Sequence, residues 1–252
     1  MNSTSIESHA ESWRAQPARP TIEPEEIHVW CIELDLPDSD IERDFHILSV
    51  DERDRANRFA FKKGRTHFIA ARGALRRILG LYLQVDPAGL QFVYASHGKP
   101  SLKPGYDTLG LRFNVTHSGG IALFALALSR EVGIDVEHIR DDFPCLQIAR
   151  QFFSDAEYAT LCSIQPALRY EAFFNCWTRK EAFVKATGEG LSYPLTQFEV
   201  SLRPGAPAQL LSITGQAAQA ARYSLHAILP RAGYVGALAV IGTCSRIRFW
   251  TA

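Results

Sequence analysis

The sequence predicts an α+β protein built from two similar lobes, and three observations carry that expectation. Ala56-Asn-Arg-Phe-Ala-Phe61 in the first half resembles Ala149-Arg-Gln-Phe-Phe153 in the second. In each half a longer helical stretch follows. After it come a glycine and a short apolar strand, LQFVY over 90–94 and FEVSL over 198–202. The letters repeat weakly but the order repeats well, as expected of an internal duplication with its junction near residue 130. The expected division is a loose tail over 1–22, a first lobe over 23–130 and a second over 131–252. The competing reading is one domain with a chance similarity.

Each element has its own signal. Ser, Glu, Pro17, Pro20 and Pro24 make the start of the chain tail-like. Ile27–Leu36 is apolar and β-branched enough for a strand. Ser49-Val-Asp-Glu52 has the form of a capping box and opens a helix. Phe68, Ala71, Leu75, Ile78 and Leu79 recur at helical spacing and predict a helix over about 65–83. Leu90–Tyr94 reads as a strand and His97–Gly105 as a Gly/Pro loop. Strands are expected over 111–115 and 121–128 around a turn at Ser118-Gly119-Gly120, and again over 132–137. Residues 144–164 read as largely helical. A helix over about 168–187 stops at Gly188, which frees the backbone to turn. The remaining strands fall at 197–202, 224–229, 234–241 and 246–250.

Composition narrows the function. The 252 residues are 46% apolar and 21% charged with zero formal net charge. That suits a soluble globular chain with a real core, and no bulk field draws it to nucleic acid or to an anionic membrane. A bound anion has to be held by a local basic cluster. The first twenty residues lack the basic-then-apolar order of a signal peptide, and runs such as Ile121–Leu128 are too short to span a bilayer. Cysteines 31, 145, 162, 176 and 244 are odd in number with no CxxC pair. This argues for reduced thiols in a cytoplasm rather than a disulfide framework or structural zinc.

Four groups of residues can carry chemistry. Asp135 and Glu137 are two apart in a strand, so both point to one face. Two adjacent carboxylates repel unless a cation lies between them, and oxygen-only ligands suit magnesium; a solvated strand edge is the plainer reading. In Trp177-Thr-Arg-Lys-Glu181-Ala-Phe-Val-Lys185, positions 177, 181 and 185 share one helix face, with Glu181 and Lys185 an i,i+4 pair among many apolar residues. Read plainly, the pair is a surface salt bridge. Arg55, Arg58, Lys62, Lys63, Arg65, Arg72, Arg76 and Arg77 crowd 23 residues, and Arg65, Arg72 and Arg76 can share one helical side. The cluster fits phosphate recognition or, equally, a solvated helix face. Finally, His97-Gly98-Lys99-Pro100 and Phe113-Asn114-Val115-Thr116-His117-Ser118-Gly119 place a cation and a histidine in loops or turns where backbone N–H groups can meet a phosphate. There is no GxSxG elbow, no GxxxxGK[ST] loop and no GxGxxG fingerprint.

Each signal alone is modest, but the ordered set is specific. HGKP at 97–100, FNVTHSG at 113–119, GIDVE at 133–137 and WTRKEA at 177–182, followed by Lys185 and Gly188, resembles the 4′-phosphopantetheinyl transferase superfamily. The length and the two-lobe echo resemble its Sfp-type, pseudo-dimeric branch. The resemblance covers about residues 25–250.

It implies two lobes, each a helix packed on a small antiparallel sheet, related by a pseudo-twofold axis with coenzyme A in the cleft between them. It implies Asp135, Glu137 and Glu181 as ligands of Mg2+, which Mn2+ can replace. Arg72, Lys99, Pro100, Thr116 and His117 become coenzyme A contacts, with Arg55 and Arg65 less firmly. Lys185 neutralises charge on the pyrophosphate or leaving group, and Glu181 is the candidate base, directly or through a metal-bound water. The implied reaction moves the phosphopantetheine arm onto a serine of an apo acyl or peptidyl carrier protein, releasing adenosine 3′,5′-bisphosphate. Two fused lobes imply a monomer, and no nucleic acid or membrane partner is expected. The readings left beside it are a coenzyme A or carrier binder without turnover, another magnesium-dependent enzyme acting on a nucleotide diphosphate and, last, a pure nucleic-acid module.

Overall fold

The computed structural model describes residues 13–94, 98–190, 193–214 and 217–251. Residues 1–12 of the expected tail, and His97 of the HGKP loop, lie outside the described residues. In chain order the elements are β1 (Arg14–Ala15), β2 (Glu26–Glu33), α1 (Asp38–Ile47), α2 (Val50–Asn57), α3 (Lys62–Leu83), β3 (Phe92–Tyr94), β4 (Pro100–Leu102), β5 (Leu111–Ser118), β6 (Ile121–Leu128), β7 (Val132–His138), α4 (Cys145–Phe152), α5 (Asp155–Ser163), α6 (Pro166–Thr187), β8 (Phe198–Val200), β9 (Leu210–Ile213), α7 (Ala217–Ala220), β10 (Tyr223–Ile228), β11 (Tyr234–Ile241) and β12 (Arg246–Thr251).

Strand alternation explains the layers. In β2 and β6, Trp30, Ile32, Ala122, Phe124 and Leu126 face α3, while Ile27, Val29, Ile121, Leu123 and Ala125 face the opposite way. In β7 and β11, Val132, Ile134, Val136, Leu238 and Val240 meet that second face, and Val235, Ala237 and Ala239 turn to α6. Four layers result: helix, sheet, sheet, helix. The strands are apolar on both faces because both faces are covered.

The two-lobe order holds apart from α7, which lies between β9 and β10 of the second lobe. The run β2-α1-α2-α3-β3-β4-β5-β6 repeats as β7-α4-α5-α6-β8-β9-β10-β11, and in each lobe the last strand lies between the other two main strands. A buried ion pair repeats with it. Both α2 and α5 open with a capping box, at Ser49/Glu52 and Ser154/Glu157. Glu52 also lies 2.6 Å from Arg76 Nε, and Glu157 2.8 Å from Lys180 Nζ. Each cation stands fourteen residues after the first residue of a 22-residue helix. Arg76 donates to the carbonyls of Pro87 and Leu90 at 2.9 and 3.0 Å, and Lys180 to those of Leu195 and Phe198 at 2.7 and 2.6 Å. One carboxylate thus starts a helix, and its partner cation ties down the loop after the next one. Pairing of opposite charges is what lets them be buried.

The structure corrects several expectations. The strand at 246–251 belongs to the first lobe: β12 runs parallel to β2, pairing Phe249 with Val29 and Trp250 with Trp30. The first lobe's sheet is therefore five-stranded, in the order β1-β12-β2-β6-β5, and mixed rather than wholly antiparallel; the second lobe's sheet is β10-β11-β7. The tail is not loose at its inner end, because Arg14 and Ala15 pair with Trp250 and Thr251, and Trp13 packs edge-on against Phe249 at 5.0 Å. The long first-lobe helix begins at Lys62, and the Gly/Pro loop contains β4, which pairs with β3. Three elements, α1, β9 and α7, had no clear signal. In α1 only Ile41, Phe45 and Ile47 are apolar among ten residues, too few for a visible helical stripe.

Candidate functional site

The site begins where two sheet edges meet. β5 ends one sheet and β7 the other, and they are joined by side chains. Asn114 Oδ1 accepts from the Ile134 N–H at 2.9 Å, the Thr116 hydroxyl donates to Asp135 Oδ1 at 2.9 Å, and the Ser118 hydroxyl donates to Glu137 Oε2 at 2.7 Å. The period of two puts 114, 116 and 118 on one side of β5, so three successive rungs cross the junction.

Residues 133, 135 and 137 face α6. Gly133 sets the distance: a Cβ there would lie 2.1 Å from the carbonyl oxygen of Ala182 and 2.4 Å from the Ala186 nitrogen. Only glycine lets the helix backbone come that close. The approach carries Lys185 onto the strand, where its Nζ lies 2.6 Å from Asp135 Oδ1 and donates to the Ile134 carbonyl at 3.2 Å. This corrects the expected Glu181–Lys185 pair: among the described residues no ion pair joins them, because Lys185 turns to Asp135. Lys99 Nζ lies 2.9 Å from Glu131 Oε2 and 3.0 Å from the Lys185 carbonyl oxygen, which ties the HGKP loop to the last turn of α6. A cation there also suits the negative end of the helix dipole.

Burial and the neighbouring Asp135 charge push the Glu181 carboxyl above the usual carboxylate range. Burial does the same to Glu137, against the lowering hydrogen bond from Ser118. The His117 ring opens to solvent, but crowding by protein atoms and the nearby Lys185 ammonium hold its imidazolium below the ordinary range. A cleft of about 520 Å3 is lined by Lys99, Pro100, Asn114, Val115, Glu181, Lys185, Gly188 and Gly190. It is large enough for a cofactor-sized ligand.

The donor set fits a hard cation. Asp135 Oδ2 is buried with no hydrogen-bond partner among the described residues. A carboxylate oxygen left so beside a second acid is satisfied by a divalent ion with oxygen ligands. Asp135, Glu137 and Glu181 do not already form a closed three-ligand cage, and none is present among the described residues. Magnesium does not require one, since it keeps waters and takes phosphate oxygens. The first lobe has no counterpart. Phe124 and Ala237 are equivalent in the central strands; Ala237 pairs with Asp135, but Phe124 pairs with Trp30, and Ile32 stands where Glu137 would. The repeat thus builds one acidic site, not two.

The basic cluster divides. Arg76 is 1% exposed and structural, and Arg77 is paired with Asp44. Arg72 is largely buried under aromatic rings, its guanidinium 5.5 Å from the Phe92 centroid and 5.8 Å from that of Tyr94, with Nη1 unpartnered among the described residues. Arg65 reaches Asn57 Oδ1 at 3.4 Å and lies over Phe45. A shared solvated face is therefore wrong for Arg72 and Arg76. Thr116 is 7% exposed with its hydroxyl on Asp135, so that hydroxyl serves the acid rather than the open cleft. Sequence reasoning missed Ser118 and Asn114 as site residues. Their signal was the alternation with Thr116, which does not say which strand lies opposite.

The family model described as the 4′-phosphopantetheinyl transferase superfamily matches residues 131–239, and one described as 4′-phosphopantetheinyl transferase, N-terminal, matches residues 37–129. The chain is 40% identical over 239 residues to the 4′-phosphopantetheinyl transferase HetI of Nostoc sp., covering 95% of this chain and 98% of that protein. It is 31% identical over 176 residues to the 4′-phosphopantetheinyl transferase Sfp of Bacillus subtilis, covering 69% and 76%. It is 35% identical over 164 residues to the 4′-phosphopantetheinyl transferase psf-1 of Bacillus pumilus, covering 65% and 67%. On this evidence, with both lobes and their shared acidic site in one chain, the protein is an enzyme of the 4′-phosphopantetheinyl transferase superfamily and belongs to its two-lobe, Sfp-type branch.

Proposed function

We propose that the protein transfers the 4′-phosphopantetheine arm of coenzyme A to a serine of an apo acyl or peptidyl carrier protein, with Mg2+, or Mn2+ in its place. The observation that carries this reading is the ion pair of Lys185 with Asp135, on the strand that also carries Glu137, with Lys185 and Glu181 lining a cleft of about 520 Å3 between the lobes.

In the reaction the carrier serine oxygen bonds to the β-phosphorus of coenzyme A, the phosphoanhydride bond breaks, and adenosine 3′,5′-bisphosphate departs. Glu181, which lines the cleft beside Lys185, takes the serine proton. Lys185 neutralises charge that grows on the departing phosphate. Asp135, Glu137 and Glu181 hold the metal. When bound, Mg2+ supplies Lewis-acid neutralisation of the pyrophosphate. Lys99, Pro100, His117, Arg65 and Arg72 bind or frame coenzyme A, with Thr116 acting through Asp135, and fixing the far end of coenzyme A positions the pyrophosphate.

Both lobes lie in one chain, which supports action as a monomer. All five cysteines are free, which supports a reducing, cytoplasmic setting. No helix among the described residues is long and apolar enough to cross a membrane.

The test is a mass spectrum of an apo carrier protein incubated with this protein, coenzyme A and Mg2+, with and without chelator. The expected result is a gain equal to one phosphopantetheine arm, abolished by chelator and slowed about 100-fold by Glu181→Gln. No gain on acyl or peptidyl carriers, from folded protein that binds coenzyme A, would overturn the reading.

A further inference from the structure

The acidic pair belongs to the second lobe, but both of its members are held by hydroxyls of the first. Ser118 is the more informative of the two. Its oxygen accepts from the His138 backbone N–H at 3.2 Å, and its own proton goes to Glu137 Oε2 at 2.7 Å. The accepted bond fixes the direction of the donated one, so the hydroxyl works as a relay from β7 backbone to β7 side chain through a residue of β5. A hydroxyl that accepts as it donates is a better donor, because the two bonds polarise each other. The effect is to pin one oxygen of Glu137 and leave the other free to face α6. A glutamate has three rotatable bonds, and without such an anchor only strand and helix packing would restrain its head.

We infer that Ser118 is a positioning residue of the acidic site: across the lobe junction, it fixes the rotamer in which Glu137 meets a divalent cation. This rests on the reading of Asp135, Glu137 and Glu181 as metal ligands. Ser118 itself has no role as ligand or base. Its hydroxyl is committed at both ends, and its contribution is the aim of Glu137. Docking of the two lobes and assembly of the metal site are then one event, since the anchor and the anchored acid come from different lobes. Hydrogen bonds from a neighbour to a metal-ligating side chain commonly tune metal affinity about 10- to 100-fold.

The test compares wild type, Ser118→Ala, Ser118→Thr and Asp135→Asn in the full chain. Free Mn2+ is titrated by electron paramagnetic resonance in the absence of coenzyme A and carrier, and steady-state transfer is then measured against Mg2+ and against coenzyme A. Ser118→Ala is expected to weaken Mn2+ binding about 10-fold and to raise the half-saturating Mg2+ concentration about equally. The KM for coenzyme A should stay within about twofold, with unchanged far-ultraviolet circular dichroism. Ser118→Thr, which keeps the hydroxyl, is expected to recover most of the Mn2+ affinity. Wild-type Mn2+ affinity in Ser118→Ala, alongside a clear loss in Asp135→Asn, would overturn the inference; so would equal losses in Ala and Thr. Failure of the transferase reading shows elsewhere, as a carrier left unmodified by wild type, while the Mn2+ titration still decides the role of Ser118.

Discussion

Lys185 Nζ sits 2.6 Å from Asp135 Oδ1 and also donates to the backbone carbonyl beside it, so the cation of α6 is locked to the strand that carries the acids. Under the proposed function two jobs rest on one ammonium: balancing a buried carboxylate, which the contact with Asp135 shows, and meeting the charge of a substrate.

Lys185→Met separates those jobs. Turnover should fall about 100-fold or more, the usual loss when a charge-stabilising donor is removed. Asp135, left without its cation, should cost about 1–3 kcal/mol. Lys185→Arg restores the charge on a planar head and should fall between. Carrier modification rates and urea unfolding measured on the same samples check both. Near-normal turnover in Lys185→Met would remove Lys185 from the chemistry.

Gly133→Ala tests the close approach of α6. The added carbon would meet the Ala182 carbonyl oxygen at 2.1 Å, and backbone atoms cannot swing aside. A cost of about 4 kcal/mol or more is expected, or about 10 °C in Tm for a chain of this size. Because the helix must retreat from β7, Mn2+ binding should weaken with it. An unchanged Tm would mean the helix has slack that the packing does not show.

Glu157→Gln leaves the fully buried Lys180 ammonium without its carboxylate. Breaking such a pair costs about 3–5 kcal/mol. The double variant Glu157→Gln, Lys180→Met should recover part of that loss, since the stranded charge is gone. A double-mutant cycle by urea unfolding reads the coupling, and strict additivity would show the pair to be idle.

His28 gives the protein a pH dependence. Its ring is 1% exposed, with Nδ1 2.5 Å from the Tyr82 hydroxyl. Burial pushes its pKa down to about 4, against the opposing pull of Glu26. The folded value is depressed, so as pH falls below about 6.5 the unfolded chain takes up the proton first. Stability is then lost progressively between about pH 6.5 and 4, by up to about 3 kcal/mol. Urea unfolding at pH 7, 5.5 and 4.5 should show that slope, and His28→Gln should flatten it. Parallel slopes in the two proteins would exclude His28 as the source.

Local signals made much of this legible. The capping box at Ser49 starts α2, Gly188 ends α6, and the spacing of Asp135 and Glu137 puts both acids on one face as expected. What stayed hidden depends on distance along the chain. Arg76 reads as part of a cluster for phosphate or a solvated face, and Lys180 shows no partner in the sequence, because their carboxylates lie 24 and 23 residues away, on other helices. The alternation of Asn114, Thr116 and Ser118 was visible, but nothing local says that β7 lies opposite. Nor does RIRFW at 246–250 reveal that it returns to the lobe it left.

That return has a temporal meaning. Strand β12 supplies the neighbour of β2, and Arg246 lies 220 positions after Glu26. During synthesis the first lobe therefore waits with an open sheet edge until nearly all of the second has left the ribosome. A gene cut near codon 130 would yield a first half lacking its own flank and a second half carrying a strand with nowhere to go. The halves look like twins, but they cannot be raised apart.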